Sequence, residues 1–147
     1  MAFGIFSDAE WALQRYIGSG GSNPIETGRD LDRFFSLTLE TTLPLAMINQ
    51  RVDLLWHTFI EHTELYFDFC LKRFGHVIHH RPRSSALPIA ASAVRNFYAV
   101  YQQVYGEVGP EWERDAAPEV VRFGRGQIES LSPNLRWSGW PGLVLES

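Results

Sequence analysis

Residues 52–82 read VDLLWHTFIEHTELYFDFCLKRFGHVIHHRP and contain all five histidines of the chain and its single cysteine. The first part of this stretch has apolar side chains at the three- and four-residue spacing of one helix face: Val52, Leu55, Trp56 and Phe59. Pro44 suits the first turn of this helix, where a missing N–H costs nothing. Thr63 can begin a second helix or continue the first one to Phe74, and Gly75 is suited to the C-terminal cap. The stretch therefore predicts helical structure up to Phe74, either as one continuous helix or as two helices with a break at Thr63.

The remaining sequence is also helical in character. Segments with helical spacing are 7–17, 27–39 and 88–105, and a shorter helix is expected within 110–123. Thr27 is the expected N-cap of its helix. No segment alternates between apolar and polar residues with the period of a strand. We therefore expect an all-α fold. It should be a single domain over 1–147, with a compact bundle of about five helices in 1–123 and an irregular tail in 124–147.

The composition is that of a globular protein, with 45% hydrophobic and 20% charged residues. A formal net charge of -4 provides no basic surface for nucleic acid or for an anionic membrane, so neither is an expected partner. The single cysteine allows no internal disulfide, and the sequence shows no leader and no run of about 18 apolar residues. These features predict a cytoplasmic protein.

Asp53 and His57 are the first candidates for a functional site. They lie four residues apart, so on a helix they face the same side and can share a hydrogen bond or an ion. Such a pair can provide two metal ligands, or a carboxylate that orients an imidazole. The same helical stripe continues through acidic residues that we expect to be solvated, namely Glu61, Glu64 and Asp68.

Cys70 decides whether this pair belongs to a larger metal site. On one straight helix, Cys70 lies roughly 20 Å from His57, which is too far to share an ion. A break within 60–65 allows the second helix to fold back and bring Cys70, or the pair His79 and His80, toward Asp53 and His57. A set of histidine, cysteine and carboxylate ligands favours zinc. In the alternative, Cys70 is a small core residue, because free cysteines are among the most buried residues.

The same motif carries a family resemblance. The segments VDLLWHTF at 52–59, YFDFC at 66–70, G at 75 and HHRP at 79–82 resemble the helical domain of the glycine-rich-domain-containing proteins, found in plants and fungi and as small bacterial proteins. The pattern of that domain selects these positions of the chain: Asp53, Trp56, His57, Tyr66, Cys70, Gly75 and His80. Phe59 departs from it, because many eukaryotic members have a second histidine there. The resemblance implies a helical domain and no particular activity.

Three functions are open at this point. Asp53, His57, Cys70 and His80 can form a structural or regulatory zinc site, or an open metal or acid–base site in an enzyme acting on a small substrate. They can instead form a buried hydrogen-bonded cluster in a protein-interaction domain. We favour this last function, a helical scaffold or interaction domain, with zinc as the expected cofactor if there is one. Trp137 and Trp140 are the predicted interaction residues, because two tryptophans in an irregular tail should dock on the same domain, on a partner protein or on a second copy.

Overall fold

The computed structural model describes residues 5–79 and 91–132. Its helices in chain order are α1 (Ile5–Asp8), α2 (Glu10–Gly18), α3 (Pro24–Leu37), α4 (Gln50–Ile60), α5 (Thr63–Phe74), α6 (Ala91–Tyr105), α7 (Pro110–Arg114) and α8 (Pro118–Gly124). Within those two ranges there is no β-strand, which confirms the all-α fold. The described helices outnumber the expected ones because the first and last predicted helices are each divided, at Ala9 and at residues 115–117.

The start of α4 corrects one prediction. The helix begins at Gln50, so the predicted start at Pro44 is wrong. Residues 44–49 are non-helical and are held by hydrogen bonds to later parts of the chain. The backbone N–H of Ala46 donates to the carbonyl of Ala93 at 3.1 Å, and the buried side-chain amide of Asn49 donates to the carbonyl of Trp112 at 2.9 Å. Such long-range bonds replace those of a helix, and spacing in the sequence does not reveal them.

The start of α3 corrects a second prediction. The helix begins at Pro24, directly after Asn23, whose φ of 48° is left-handed. Proline has its φ fixed near the helical value and needs no N–H at the first position, so it starts the helix there. Thr27 lies inside the helix, which makes its predicted N-cap role wrong. Its buried hydroxyl donates instead to the carbonyl of Asn23 at 2.6 Å.

The two motif helices are separated by a break, which is one of the two alternatives that the sequence left open. The first of them, α4, ends at Ile60, and α5 begins at Thr63 with His62 as its N-cap residue. The backbone N–H of His62 donates to the carbonyl of Phe59 at 3.2 Å, which closes a tight turn. At the other end of α5, Gly75 is the C-cap residue with a left-handed φ of 79°, as expected of a glycine at that position.

Aromatic side chains hold α4 and α5 against each other. The ring of Phe59 lies 5.0 Å from that of Tyr66 and 4.8 Å from that of Phe69, measured between ring centroids. Edge-on and tilted ring contacts of this kind add to the stabilisation that comes from burying the apolar surface. We call α4, the turn and α5 the α4–α5 hairpin.

The chain forms two compact units, of which the first comprises residues 1–39 and 51–79 and the second 40–50 and 80–147. The core of the first unit is rich in buried aromatic side chains, namely Phe34, Phe35, Trp56, Phe59, Tyr66 and Phe69. The core of the second includes Trp112, which is fully buried and lies 5.1 Å from the ring of Phe97. The single-domain organisation over 1–147 stays a prediction.

Of the predicted tail 124–147, Gly124 is the last residue of α8, residues 125–132 contain neither helix nor strand, and residues 133–147 lie outside the described residues. Among the helices in the described ranges, none combines the length and the apolar character needed to cross a membrane.

Candidate functional site

A buried hydrogen-bond chain in the first unit joins two residues of the motif to the backbone of Ile78. The indole Nε1 of Trp56 donates to the hydroxyl of Tyr66 at 3.0 Å, and this hydroxyl donates to the carbonyl oxygen of Ile78. The buried thiol of Cys70 lies beside them, where the Tyr66 side chain and the Ile78 backbone act on its pKa. All four residues are buried. We call Trp56, Tyr66, Cys70 and Ile78 the tyrosine network.

Three consecutive segments of the chain supply this network. Trp56 comes from α4, whereas Tyr66 and Cys70 lie four residues apart and therefore on the same face of α5. Ile78 lies in the connection after α5, which turns back at Gly75. The network therefore connects α4, α5 and the segment that follows Gly75.

Burial keeps the network electrically neutral. Loss of water raises the pKa of the Tyr66 hydroxyl well above its ordinary value of 10.0, and it raises the pKa of the Cys70 thiol above 9.0. Hydrogen bonds lower both pKa values, by Trp56 for the hydroxyl and by Ile78 and Tyr66 for the thiol, but burial outweighs them. Both groups are thus protonated at neutral pH. A protonated thiol is a poor nucleophile, because that role requires the thiolate.

The other two motif residues of α4 differ in exposure. Asp53 is 2% exposed, whereas the side chain of His57 is 41% exposed and its Nε2 lies 4.0 Å from a carboxylate oxygen of Glu61. The side chain of His57 is therefore partly open to solvent, and so is its contact with Glu61. The predicted contact between Asp53 and His57 stays a prediction. Glu61, Glu64 and Asp68 are exposed, which confirms the solvated stripe.

The predicted zinc site combines Asp53, His57 and Cys70 with His80, and His80 lies outside the described residues. Cys70 is fully buried beside Tyr66 and Ile78, as is expected of a core residue. Within residues 5–79 and 91–132, no group of three or more histidine, cysteine, aspartate or glutamate side chains is arranged to hold a metal ion. The four-residue site stays a prediction. The predicted interaction residues Trp137 and Trp140 also lie outside the described residues.

A second buried polar cluster of the first unit is one that sequence analysis missed. The guanidinium of Arg51, which is 6% exposed, donates to the hydroxyl of Thr27 and to carboxylate oxygens of Glu26 at 3.2 Å and Asp30 at 3.4 Å. We call these four residues the arginine cluster. It joins α4, which carries Arg51, to the first two turns of α3. One sequence signal was available, since Asp30 shares a helix face with the apolar Phe34.

The charge of Asp30 is costly to bury. Desolvation raises its pKa above the ordinary value of 3.8, and this outweighs the lowering by Arg29 and Arg51. Arg29 approaches the second oxygen of the same carboxylate at 3.2 Å but is 47% exposed. The N–H groups of Arg51 thus donate to acceptors of the protein itself, and these hydrogen bonds connect α4 to α3.

The outward face of α5 carries unusually many apolar side chains. The exposed fractions are 49% for Leu65, 44% for Phe67 and 54% for Leu71. The charged side chains beside them are also exposed, with Asp68 and Lys72 forming an ion pair of 3.1 Å. We call the exposed side chains Glu64, Leu65, Phe67, Asp68, Leu71 and Lys72 the α5 surface.

A cavity of about 390 Å³ adjoins this surface. Its lining residues come from α5 and from the α1–α2 region, namely Asp8, Trp11, Leu65, Asp68, Phe69, Lys72 and Arg73. Arg73 pairs with Asp8 at 2.8 Å, which links the two sides of the cavity. The α5 surface and this cavity are therefore continuous features of the first unit.

Comparison with known proteins identifies the family. The model of the UCP032817-like family matches residues 21–105, which include α3, the α4–α5 hairpin and α6. Because the match covers more than half of the chain, the protein belongs to the UCP032817-like family. No curated protein and no solved structure shows significant similarity to the chain.

Proposed function

We propose that this member of the UCP032817-like family is a helical scaffold that presents a protein-interaction surface, and that its motif residues serve to hold that surface in shape. The observation that carries the proposal is the tyrosine network. Three motif residues, Trp56, Tyr66 and Cys70, are buried together there, and the polar atoms of Trp56 and Tyr66 are hydrogen-bonded within the protein.

The chemistry of the network supports a structural role. A buried hydrogen bond contributes modestly when made, but a buried donor or acceptor that loses its partner costs roughly 1–3 kcal/mol. A set of such bonds therefore favours one packing of the helices over its alternatives. The raised pKa values of Tyr66 and Cys70 act in the same direction, because neutral groups are easier to bury than ions.

The opposite face of the same helix supports an interaction role. Tyr66, Phe69 and Cys70 face the core, while Phe67 and Leu71 face solvent. Exposed apolar side chains are ordinary when scattered, but a contiguous group with a polar border is typical of an interaction surface. The network therefore fixes the inner face of a helix whose outer face is available for binding.

The finer parts of the proposal rest on sequence alone. Trp137 and Trp140 are proposed to contribute to binding, and the relationship to the glycine-rich-domain-containing proteins rests on the motif of residues 52–82. A protein partner or self-association, rather than nucleic acid or membrane, is the expected mode of action, and the cytoplasm is the expected compartment.

The proposal is tested by unfolding the full chain in urea, with zinc added and with a chelator added. We expect the same midpoint in both, and no stoichiometric zinc in protein purified without chelators. Tyr66→Phe should lower the free energy of unfolding by about 1–3 kcal/mol, because it leaves the Trp56 N–H and the Ile78 carbonyl without their partner. The matched control is Tyr105→Phe, which removes the hydroxyl of a tyrosine that is 38% exposed and should have little effect.

Stoichiometric zinc would overturn the proposal if His57→Ala or Cys70→Ala removes it and if the chelator lowers the midpoint of the wild-type protein. The four-residue zinc site would then be the better explanation of the motif, and an enzymatic role would be the next question. Equal stabilities of Tyr66→Phe and the wild-type protein would remove the structural role of the network.

A further inference from the structure

We infer that the α5 surface binds the same surface of a second copy of this chain, with the two α5 helices antiparallel across a two-fold axis. This inference rests on the proposed interaction function and names the partner. It follows from where the apolar and charged side chains lie along α5.

The apolar part of the contact is a short ridge. Phe67 and Leu71 lie four residues apart on α5 and are therefore adjacent on one face. Of the nine large apolar side chains that are exposed among the described residues, three belong to α5. In an antiparallel arrangement whose axis passes midway between them, Phe67 meets the partner's Leu71, and Leu71 meets the partner's Phe67. Both rings and both leucines are then covered at once.

The charges have the order that such an arrangement requires. Glu64 and Asp68 lie toward the N-terminal end of the exposed face, and Lys72 lies toward its C-terminal end. An antiparallel copy therefore brings Asp68 close to the partner's Lys72, and Lys72 close to the partner's Asp68. A parallel copy in the same register would bring like charges together. The pattern is thus self-complementary only for the antiparallel, two-fold arrangement.

Because these charged side chains are exposed, each can replace its ion pair within one copy by an ion pair with the second copy. The side chains of Asp68 and Lys72 are 61% and 74% exposed, so the ion pair within one copy can be shared with a second copy at little desolvation cost. The adjoining cavity widens the contact beyond a single helix, because Leu65, Asp68 and Lys72 belong both to the α5 surface and to the cavity wall. A contact of this extent falls in the small, reversible class of interfaces.

The test is sedimentation of the full chain over a range of concentrations. We expect a reversible dimer for the wild-type protein. Asp68→Lys and Lys72→Asp should each raise the dissociation constant of the dimer at least about tenfold, since the two-fold axis creates two like-charge contacts in each dimer. Glu107→Lys, a charge reversal at an exposed residue outside α5, is the control and should leave the constant unchanged.

The decisive experiment is sedimentation of a mixture of Asp68→Lys and Lys72→Asp. One partner then offers lysine at positions 68 and 72 and the other offers aspartate at both, so the inference predicts that the mixture forms a heterodimer although each variant alone stays largely monomeric. Because the same folded proteins are used alone and together, a loss of folding cannot imitate this result. Phe67→Ser should abolish the association in every combination.

A wild-type protein that remains monomeric at the highest soluble concentration would overturn the inference. So would a dimer that is insensitive to both reversals, or a mixture that shows no recovery. These outcomes leave the proposed scaffold function standing, because that function is judged separately by zinc binding and by the stability of Tyr66→Phe.

Discussion

The two buried polar clusters of the first unit join helices by different means. The tyrosine network joins α4 to α5 through neutral donors and acceptors, and burial keeps it neutral by raising the pKa of Tyr66 and Cys70. The arginine cluster joins α4 to α3 through ions, with Arg51 among the carboxylates of Glu26 and Asp30. Arg51 and Asp30 are nearly inaccessible to water, as is the tyrosine network, whereas the side chain of Glu26 is 29% exposed.

The difference concerns what happens when one member is removed. In the arginine cluster the carboxylate of Asp30 is fully buried, and its raised pKa shows that desolvation exceeds the attraction of the neighbouring arginines. Such an ion depends strongly on its partners. In the tyrosine network, removal of one group leaves neutral atoms without partners, which is a smaller penalty. The two clusters should therefore differ in sensitivity to mutation, and four predictions test this.

The largest effect is expected for Arg51→Ala. It leaves Asp30 buried without its most buried partner and should lower the free energy of unfolding by about 3–5 kcal/mol, measured by urea denaturation. The matched control is Arg29→Ala, which removes the 47% exposed partner of the same carboxylate and should cost no more than about 1 kcal/mol. Equal losses of free energy of unfolding for the two substitutions would show that the buried arginine stabilises the fold no more than the exposed one.

Gly75→Ala should have the next largest effect. Gly75 adopts a φ of 79°, which is strained for a residue with a Cβ, so we expect a loss of about 1–2 kcal/mol in thermal or urea unfolding. The turn at Gly75 leads the chain to Ile78, so the tyrosine network should loosen too. Gly18→Ala is the control, because Gly18 has no positive φ and nothing within 4 Å of an added Cβ. A similar loss at both glycines would contradict the account.

Cys70→Ala should lower the free energy of unfolding by about 1 kcal/mol at neutral pH. The thiol has a raised pKa in the folded protein, so its contribution is present below the ordinary pKa of 9.0 and is lost as the pH rises above that value. The difference in free energy of unfolding between the wild-type protein and Cys70→Ala should therefore become smaller between neutral and strongly alkaline pH. A difference that becomes larger with pH would mean that the thiolate, not the thiol, is favoured by the fold.

His57→Ala should have the smallest effect. The His57 side chain is 41% exposed, and its partner Glu61 is 62% exposed at a distance of 4.0 Å. An exposed pair of this kind contributes less than about 0.5 kcal/mol. A loss several times larger, seen as a clear drop in the unfolding midpoint, would indicate that His57 has a buried role with Asp53.

The sequence predicted the parts of the fold that depend on local patterns. Helical spacing identified the residues of α4 and α5, and Gly75 marked the end of α5, but the spacing left open whether Thr63 continues the first helix or begins a second. Cys70 is buried, as the type of residue led us to expect. The start of α4 was predicted six residues early, because hydrogen bonds from Ala46 and Asn49 to distant residues decide it. Such contacts leave no periodic signal in the sequence.

The candidate site shows the same limit. The motif drew attention to Asp53, His57 and Cys70, but the structure buries Cys70 beside Tyr66 and Ile78. The arginine cluster remained unnoticed because a single arginine on a helix is usually an exposed residue, and its carboxylate partners lie more than twenty positions earlier in the chain. Spacing predicts which residues share a helix face and not which helices meet.

The most direct test of the tyrosine network is a double-mutant cycle with Trp56→Phe, Tyr66→Phe and the combined variant, measured by urea unfolding of the full chain. If the indole N–H and the hydroxyl stabilise the α4–α5 hairpin through their 3.0 Å bond, the two losses should be coupled by about 0.5–1.5 kcal/mol. Losses that add to within about 0.3 kcal/mol would mean that the two groups act independently, and would contradict the claim that the motif holds the hairpin together.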